Sequence, residues 1–228
     1  MNDGKVKKYI LYAVSEIFLV VIGILIALSL NNWNEFRKNR QTENKLLIEL
    51  RENLLVNKTR LASDILIEQR SIDAINLITD HLDNQRPYHD SLDLHFNNAF
   101  FSPDILLAKS GFVSIQSKGF DIIYADELRK QIIDLFDVTY AHLISETLRL
   151  EDQFWPAAVL PIKHKHFRPA DLEHTTPVDY DALINDAVYL NTMLDRRGFR
   201  QTAIKLKTAS LKKTHLLLEH IEKVLEIE

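Results

Sequence analysis

Residues Ile10 to Leu30 read ILYAVSEIFLVVIGILIALSL, a run of 21 residues broken by one charge, Glu16. A helix needs ~20 mostly apolar residues to cross a hydrocarbon core ~30 Å thick. Tyr9 and Tyr12 flank one end and Trp33 the other, the places where aromatic side chains sit at membrane–water interfaces. Asn31, Asn32 and Asn34 then end the apolar run abruptly. A buried soluble helix is one competing explanation, opposed by the fourteen uncharged residues from Ile17 to Leu30, and a cleaved secretory signal is the other. However, its small-x-small site, Ala27-Leu28-Ser29, would fall inside the apolar run instead of after it. The segment is therefore expected to be an uncleaved signal anchor spanning residues 10–30. The expected order is a basic tail at 1–9, the span, a juxtamembrane linker or helix at 31–45, and one helical domain at 46–228.

Orientation is not decided by counting charges. Lys5, Lys7 and Lys8 precede the span, and Arg37, Lys38, Arg40 and Lys45 follow it. The short basic start matches a signal anchor, which leaves the tail in the cytoplasm and exports the rest. The expected location is thus a bacterial inner membrane with the C-terminal domain periplasmic.

The stretch KYILYAVSEIFLVVIGILIALSLNNWNEFRKNR, Lys8 to Arg40, resembles the N-terminus of a family of single-pass membrane proteins from Bacteroidota known only as a domain of unknown function. The shared pattern runs K-Y-x-x-Y-A, then G-E-I, then L-V-V-I-G-I-L-I-A-L, then N-x-W-N-E. This chain departs from it at Ser15, where glycine is usual. A looser likeness covers Ser110 to Phe136, through Ser117-Lys118-Gly119 and Glu127-Leu128-Arg129. The resemblance implies an inner-membrane anchor and an exported helical domain, and implies no activity.

Beyond Trp33 the pattern is helical. Positions 47, 50, 54, 58, 61, 65, 68, 72, 75, 79 and 82 follow three-four spacing, and eight of the eleven are Leu or Ile. Lys58, Glu68 and Thr79 are the exceptions. The stripe is compatible with one long stalk or with a kink near Asn57 to Thr59. Asp90-Ser91 should cap a short helix through Phe100, and Ser102-Pro103-Asp104 should start another. Asp126 should open a helix with Leu128, Ile132, Leu135, Thr139, Leu143, Leu150 and Phe154 on one face, ended by Pro156 and Pro161. Residues 161–177 contain Pro161, Pro169 and Pro177 and read as a long loop. Asp179 should open a helix burying Tyr180, Leu183, Ala187, Leu190 and Leu194, with a break or bend at Gly198. Ile204, Leu211, Leu218 and Leu225 then repeat every seven residues. No alternating strand stands out, so the expected fold class is all-α.

Candidate site residues fall into three groups. Glu16, Gly23 and Ala27 share one side of the membrane helix, where small residues permit close packing and an intramembrane carboxylate can hydrogen-bond a partner; the alternative for Glu16 is a carboxylate at the headgroup boundary, reaching Lys7, Lys8 or lipid amines. Tyr9, Tyr12 and Trp33 are interfacial anchors. Arg196, Arg197, Arg200, Lys205, Lys207, Lys212 and Lys213 place seven cations with no acid between 196 and 213. Residues 1–45 carry a net +3 against −4 for the whole chain, so the remainder carries −7 and the basic run stands out. It could face lipid headgroups or an acidic partner, or form a solvated face balancing acids such as Asp134 and Asp137.

The absence of cysteine excludes disulfides, thiolate metal sites and a cysteine nucleophile. The pair His164 and His166 is too few ligands for zinc, and lysines stand beside it. Neither a P-loop, a Rossmann glycine motif nor a nucleophile elbow occurs. The expectation is a non-enzymatic, membrane-anchored structural or interaction protein without cofactor or nucleic-acid partner. Its partners would be the bilayer and either a second copy or other membrane proteins. The alternatives are a subunit of an ion-coupled machine using Glu16, or a periplasmic sensor with a pocket between helices.

Overall fold

The computed structural model describes residues 3–226. The chain is almost wholly helical, as its periodicity demands. α1 (Asp3–Asp83) is a single helix of 81 residues, about 120 Å long at 1.5 Å per residue. It has no break near Asn57. That residue is fully buried and spends its amide on another segment, donating to the Ala108 carbonyl (2.9 Å) and accepting from the Ala108 N–H (2.7 Å). From Ile17 to Leu30 every side chain of α1 is exposed. From Glu43 onward its stripe is covered: Leu47, Leu50, Leu54, Leu61, Ile72, Ile75 and Leu82 are all buried.

The cover comes from the remaining helices: α2 (Leu92–Phe100), α3 (Ser110–Lys118), α4 (Asp126–Ile133), α5 (Ala141–Phe154), α6 (Leu160–His166), α7 (Tyr180–Ile184) and α8 (Ala187–Glu226). α8 runs antiparallel to α1 along its length, with Arg200 opposite Glu68 and Glu222 opposite Arg51. Two apolar cores form along this pair. One gathers Leu47 to Leu61 with Phe112, Ile132, Leu143 and Leu218. The other gathers Ile75 to Leu82 with Phe96, Val159, Phe167, Tyr189 and Met193. The covered part of α1 begins before residue 46: Glu43 is buried and accepts from the Tyr124 N–H at 2.9 Å, and Phe36 packs edge-on against Tyr124 at 5.3 Å.

Several local expectations are corrected. Ser102-Pro103-Asp104 starts no helix; residues 101–109 form an irregular strap. Asn57 holds it at Ala108, and Arg60 donates to the Leu106 carbonyl at 2.7 Å. These bonds to α1 replace the ones a local helix would make. Pro156 and Pro161 do not end their helix. The chain stays helical from Asp126 to His166 through two π-helical stretches, Asp134–Tyr140 and Trp155–Val159. Leu160 donates to the Trp155 carbonyl five residues back, a wider turn that accommodates prolines without their N–H. The expected loop at 161–177 is instead the end of α6 followed by an antiparallel pair, β1 (Phe167–Pro169) and β2 (Thr175–Pro177). Gly198 leaves α8 unbroken, and α8 buries Tyr189, Met193 and Arg196 while Ala187 and Leu194 are exposed. Asp179 does cap its helix, accepting from the Ala182 N–H at 3.0 Å, but that helix is only five residues long.

α3 packs directly against the backbone of α1 at Gly111. A Cβ on Gly111 would stand 2.6 Å from the Leu50 nitrogen and 2.7 Å from its Cα, both backbone atoms that cannot step aside. Gly111→Ala is expected to destabilise the domain by about 1–3 kcal/mol through this overpacking, read as a lower urea midpoint at unchanged slope.

Candidate functional site

Between the two apolar cores lies a layer of charge. Glu68 comes from the apolar stripe of α1 and Arg196, Arg200 and Lys207 come from α8, all with essentially no solvent exposure. Arg200 donates to Glu68 at 3.0 Å, and Lys207 donates to its other oxygen at 2.7 Å. Asp64, one turn before Glu68, stands 3.9 Å from Lys207. Burial raises the Asp64 carboxyl above its ordinary range, with Lys207 pulling the other way. Glu151 of α5 pairs with Arg200 and lies 3.6 Å from Arg196. Three cations thus meet three acids, and the layer is neutral.

Arg196 also closes a gap in the backbone. Its Nε donates to the Ala99 carbonyl at 2.7 Å and its Nη2 to the Phe100 carbonyl at 2.5 Å, the end of α2 where carbonyls lack helical partners. Its guanidinium stacks 5.2 Å from the Trp155 ring centre. Burial lowers the Arg196 pKa to about 10, with Glu68 acting against it, so the group stays charged near neutrality.

A cleft of 410 Å³ opens beside this layer, between the end of α2, the strap, α5 and α6. Phe100, Ile144, Leu148 and Trp155 supply its apolar wall, and Thr147, Glu151 and Lys163 its polar groups. Its volume falls within the range of small-molecule sites, ~300–1,000 Å³.

The seven cations of the basic run therefore do not form one surface. Arg196, Arg200 and Lys207 are interior. Arg197 donates to Asn76 at 2.9 Å, and Lys213 binds Asp134 at 2.7 Å. Lys205 and Lys212 are exposed. The reason is the helical period: positions 196, 200 and 207 lie on the buried stripe of α8, where acids from α1 and α5 await them. Glu16, Gly23 and Ala27 are exposed on α1, and no atom lies within 4 Å of where a Gly23 Cβ would stand. Trp33 is exposed under Arg37, 5.4 Å from the ring centre. The side chains of Tyr9 and Tyr12 lie outside those described.

The apolar stretch of α1 from Glu16, the rest of that helix and the helices through α5 fall within one family pattern. The chain belongs to DUF6090, a family of unknown function. The DUF6090 pattern matches residues 16–158, from Glu16 to the second π-helical stretch. It takes in Glu68, Glu151 and every cleft residue except Lys163, while Arg196, Arg200 and Lys207 lie beyond it. No curated protein and no solved structure matches the chain.

Sequence reasoning missed Glu68 and Glu151 as site residues. Glu68 was visible as an acid on an apolar stripe. Its partners were visible as cations at three-four spacing on another helix, and the two signals belong together. Glu151 stands beside Asp152, and consecutive helix positions face apart, so spacing alone gives it no signal.

Proposed function

We propose that this DUF6090 protein is a single-pass membrane-anchored interaction protein, which carries its helical domain on an extension of its own membrane helix. The observation that carries this reading is the change of environment along α1. From Glu16 the helix is long and apolar enough to cross a bilayer, and its most apolar stretch is covered by nothing in the fold. The same helix without interruption becomes the central strut of the domain from Glu43 onward. An isolated apolar helix of this kind is unstable in water, and a bilayer would satisfy it. A continuous helix also fixes the domain rigidly relative to the membrane. Association with a second copy or another membrane protein would use the open face of Glu16, Gly23 and Ala27.

The basic start of the chain favours export of the domain. The test combines extraction with topology reporters. The full-length protein should stay with membranes through an alkaline wash and leave them only with detergent. A C-terminal alkaline phosphatase fusion should be active, and a cytoplasmic reporter at the same point silent. Release by the alkaline wash would overturn the anchor, and the opposite reporter pattern would overturn the orientation.

A further inference from the structure

The cleft between α2, the strap and α5 contains a cation with no counter-charge. Lys163 enters it from α6, with its ammonium 5.3 Å from the Phe100 ring centre and 5.9 Å from that of Trp155. It is half-buried and forms no ion pair among the described residues. Burial lowers its pKa, and the neighbouring Arg196 lowers it further. A desolvated ammonium between two aromatic rings gains from the ring faces, but an anion would compensate it far better. A second group in the same cleft also lacks a partner. Thr147 lines the cleft, with its hydroxyl closed to solvent and without a hydrogen-bond partner among the described residues. Unpaired buried polar atoms are uncommon in folded proteins and are costly where they occur.

The nearby acids do not supply the missing charge. Glu151 is engaged with Arg200 and Arg196. Asp104 and Asp152 also line the cleft but are exposed to solvent. They would repel a second negative charge on a ligand and so favour a monoanion over a dianion. The rest of the lining is mostly apolar, with Phe100, Phe101, Trp155, Ile144 and Leu148 among it beside Asn97 and Ser102.

From this arrangement we infer that the cleft binds a small monocarboxylate with an aromatic or branched apolar body. Its carboxylate accepts from Lys163, and its body lies among Phe100, Phe101 and Trp155. Water alone would leave the aromatic wall exposed and the Lys163 ammonium without a counter-charge. The inference does not depend on the membrane reading, and each can fail without the other.

The chain has two tryptophans, Trp33 and Trp155, so Trp33→Phe leaves a single fluorophore in the cleft wall. The full-length Trp33→Phe protein in lipid nanodiscs is titrated with 4-phenylbutyrate, its neutral amide and 4-phenylbutylamine. The carboxylate should change Trp155 emission saturably, and the amide should bind at least about tenfold more weakly, the effect of one charge-assisted hydrogen bond. Lys163→Met, which retains the packing on both rings, should abolish that difference, and Lys163→Arg should preserve it. Three results would each overturn the assignment: equal binding of acid and amide, tighter binding of the amine, or no saturable change. If Lys163→Met melts early and cannot be compared, the acid-to-amide ratio of the parent and of Lys163→Arg still decides.

Discussion

Replacing Glu68 with leucine should lower the unfolding free energy by about 3–5 kcal/mol, the usual effect of removing one partner from a buried ion pair. Glu68 holds the Arg200 guanidinium at 3.0 Å and the Lys207 ammonium at 2.7 Å, and all three side chains are closed to solvent. Without Glu68, Lys207 retains among the described residues only Asp64, at 3.9 Å. Arg200 retains Glu151 and the Ser102 hydroxyl. Lys207 would then lie buried with too little compensation, and that penalty exceeds what the added apolar contact returns. Urea unfolding of the full-length protein in a mild detergent, followed by circular dichroism, measures the effect. A loss below about 1 kcal/mol would mean that water reaches the layer and that the ions are screened. A companion variant separates the pair from its parts: Glu68→Met combined with Lys207→Met should recover most of the loss, because it leaves the layer balanced, with Arg196 and Arg200 against Asp64 and Glu151. If the double variant is as unstable as the single one, Glu68 contributes through packing and not through Lys207.

This layer also marks the boundary of what the sequence makes legible. The apolar run at 10–30 and the stripe from Leu47 to Leu82 follow from composition and helical period alone, and the covered face of α1 matches that stripe. The cap at Asp179 follows from local chemistry in the same way. The burial of Arg196, Arg200 and Lys207 does not. Their own helix is basic and would be read as solvated, and the acid that compensates Arg200 and Lys207 is 132 and 139 positions away. Period assigns a face to each helix, but which charged face meets which is set by tertiary pairing. The same applies to α8 near its start, where Tyr189 and Met193 turn inward in place of Leu190 and Leu194. The prolines at 156 and 161 misled for a different reason. They forbid an ordinary α turn, but a π turn of the same chain evades the prohibition. No sequence pattern among these residues distinguishes a helix that stops from one that widens.

The start of α8 depends on one carboxylate. Asp186 precedes the helix and accepts from the Val188 N–H at 2.8 Å and the Tyr189 N–H at 3.3 Å, an N-cap for a helix of 40 residues. Its other oxygen accepts from Lys165 at 2.6 Å and from the buried His166 at 2.7 Å, which ties α8 to the end of α6. Lys165 is largely exposed and its pair is worth little by itself. His166 is not, and without Asp186 its ring nitrogen would be left unpaired in the interior. Asp186→Ala should therefore cost about 2–4 kcal/mol, combining a lost cap with an unsatisfied buried donor. Asp186→Asn retains the acceptor for the cap and should cost less than half as much. The two hydrogen bonds, from Lys165 first and His166 second, hold the Asp186 carboxyl well below the ordinary carboxylate range. A carboxyl depressed in the folded state adds stability above its unfolded pKa, near 4, and loses it only as the pH falls through the folded value. The gap between the native protein and Asp186→Ala should thus be full at pH 7 and narrow steadily below about pH 4. Thermal melts of both proteins across that range measure it. A gap that stays constant down to about pH 2 would show that the carboxylate's charge contributes nothing and that the cap geometry alone holds α8 in place.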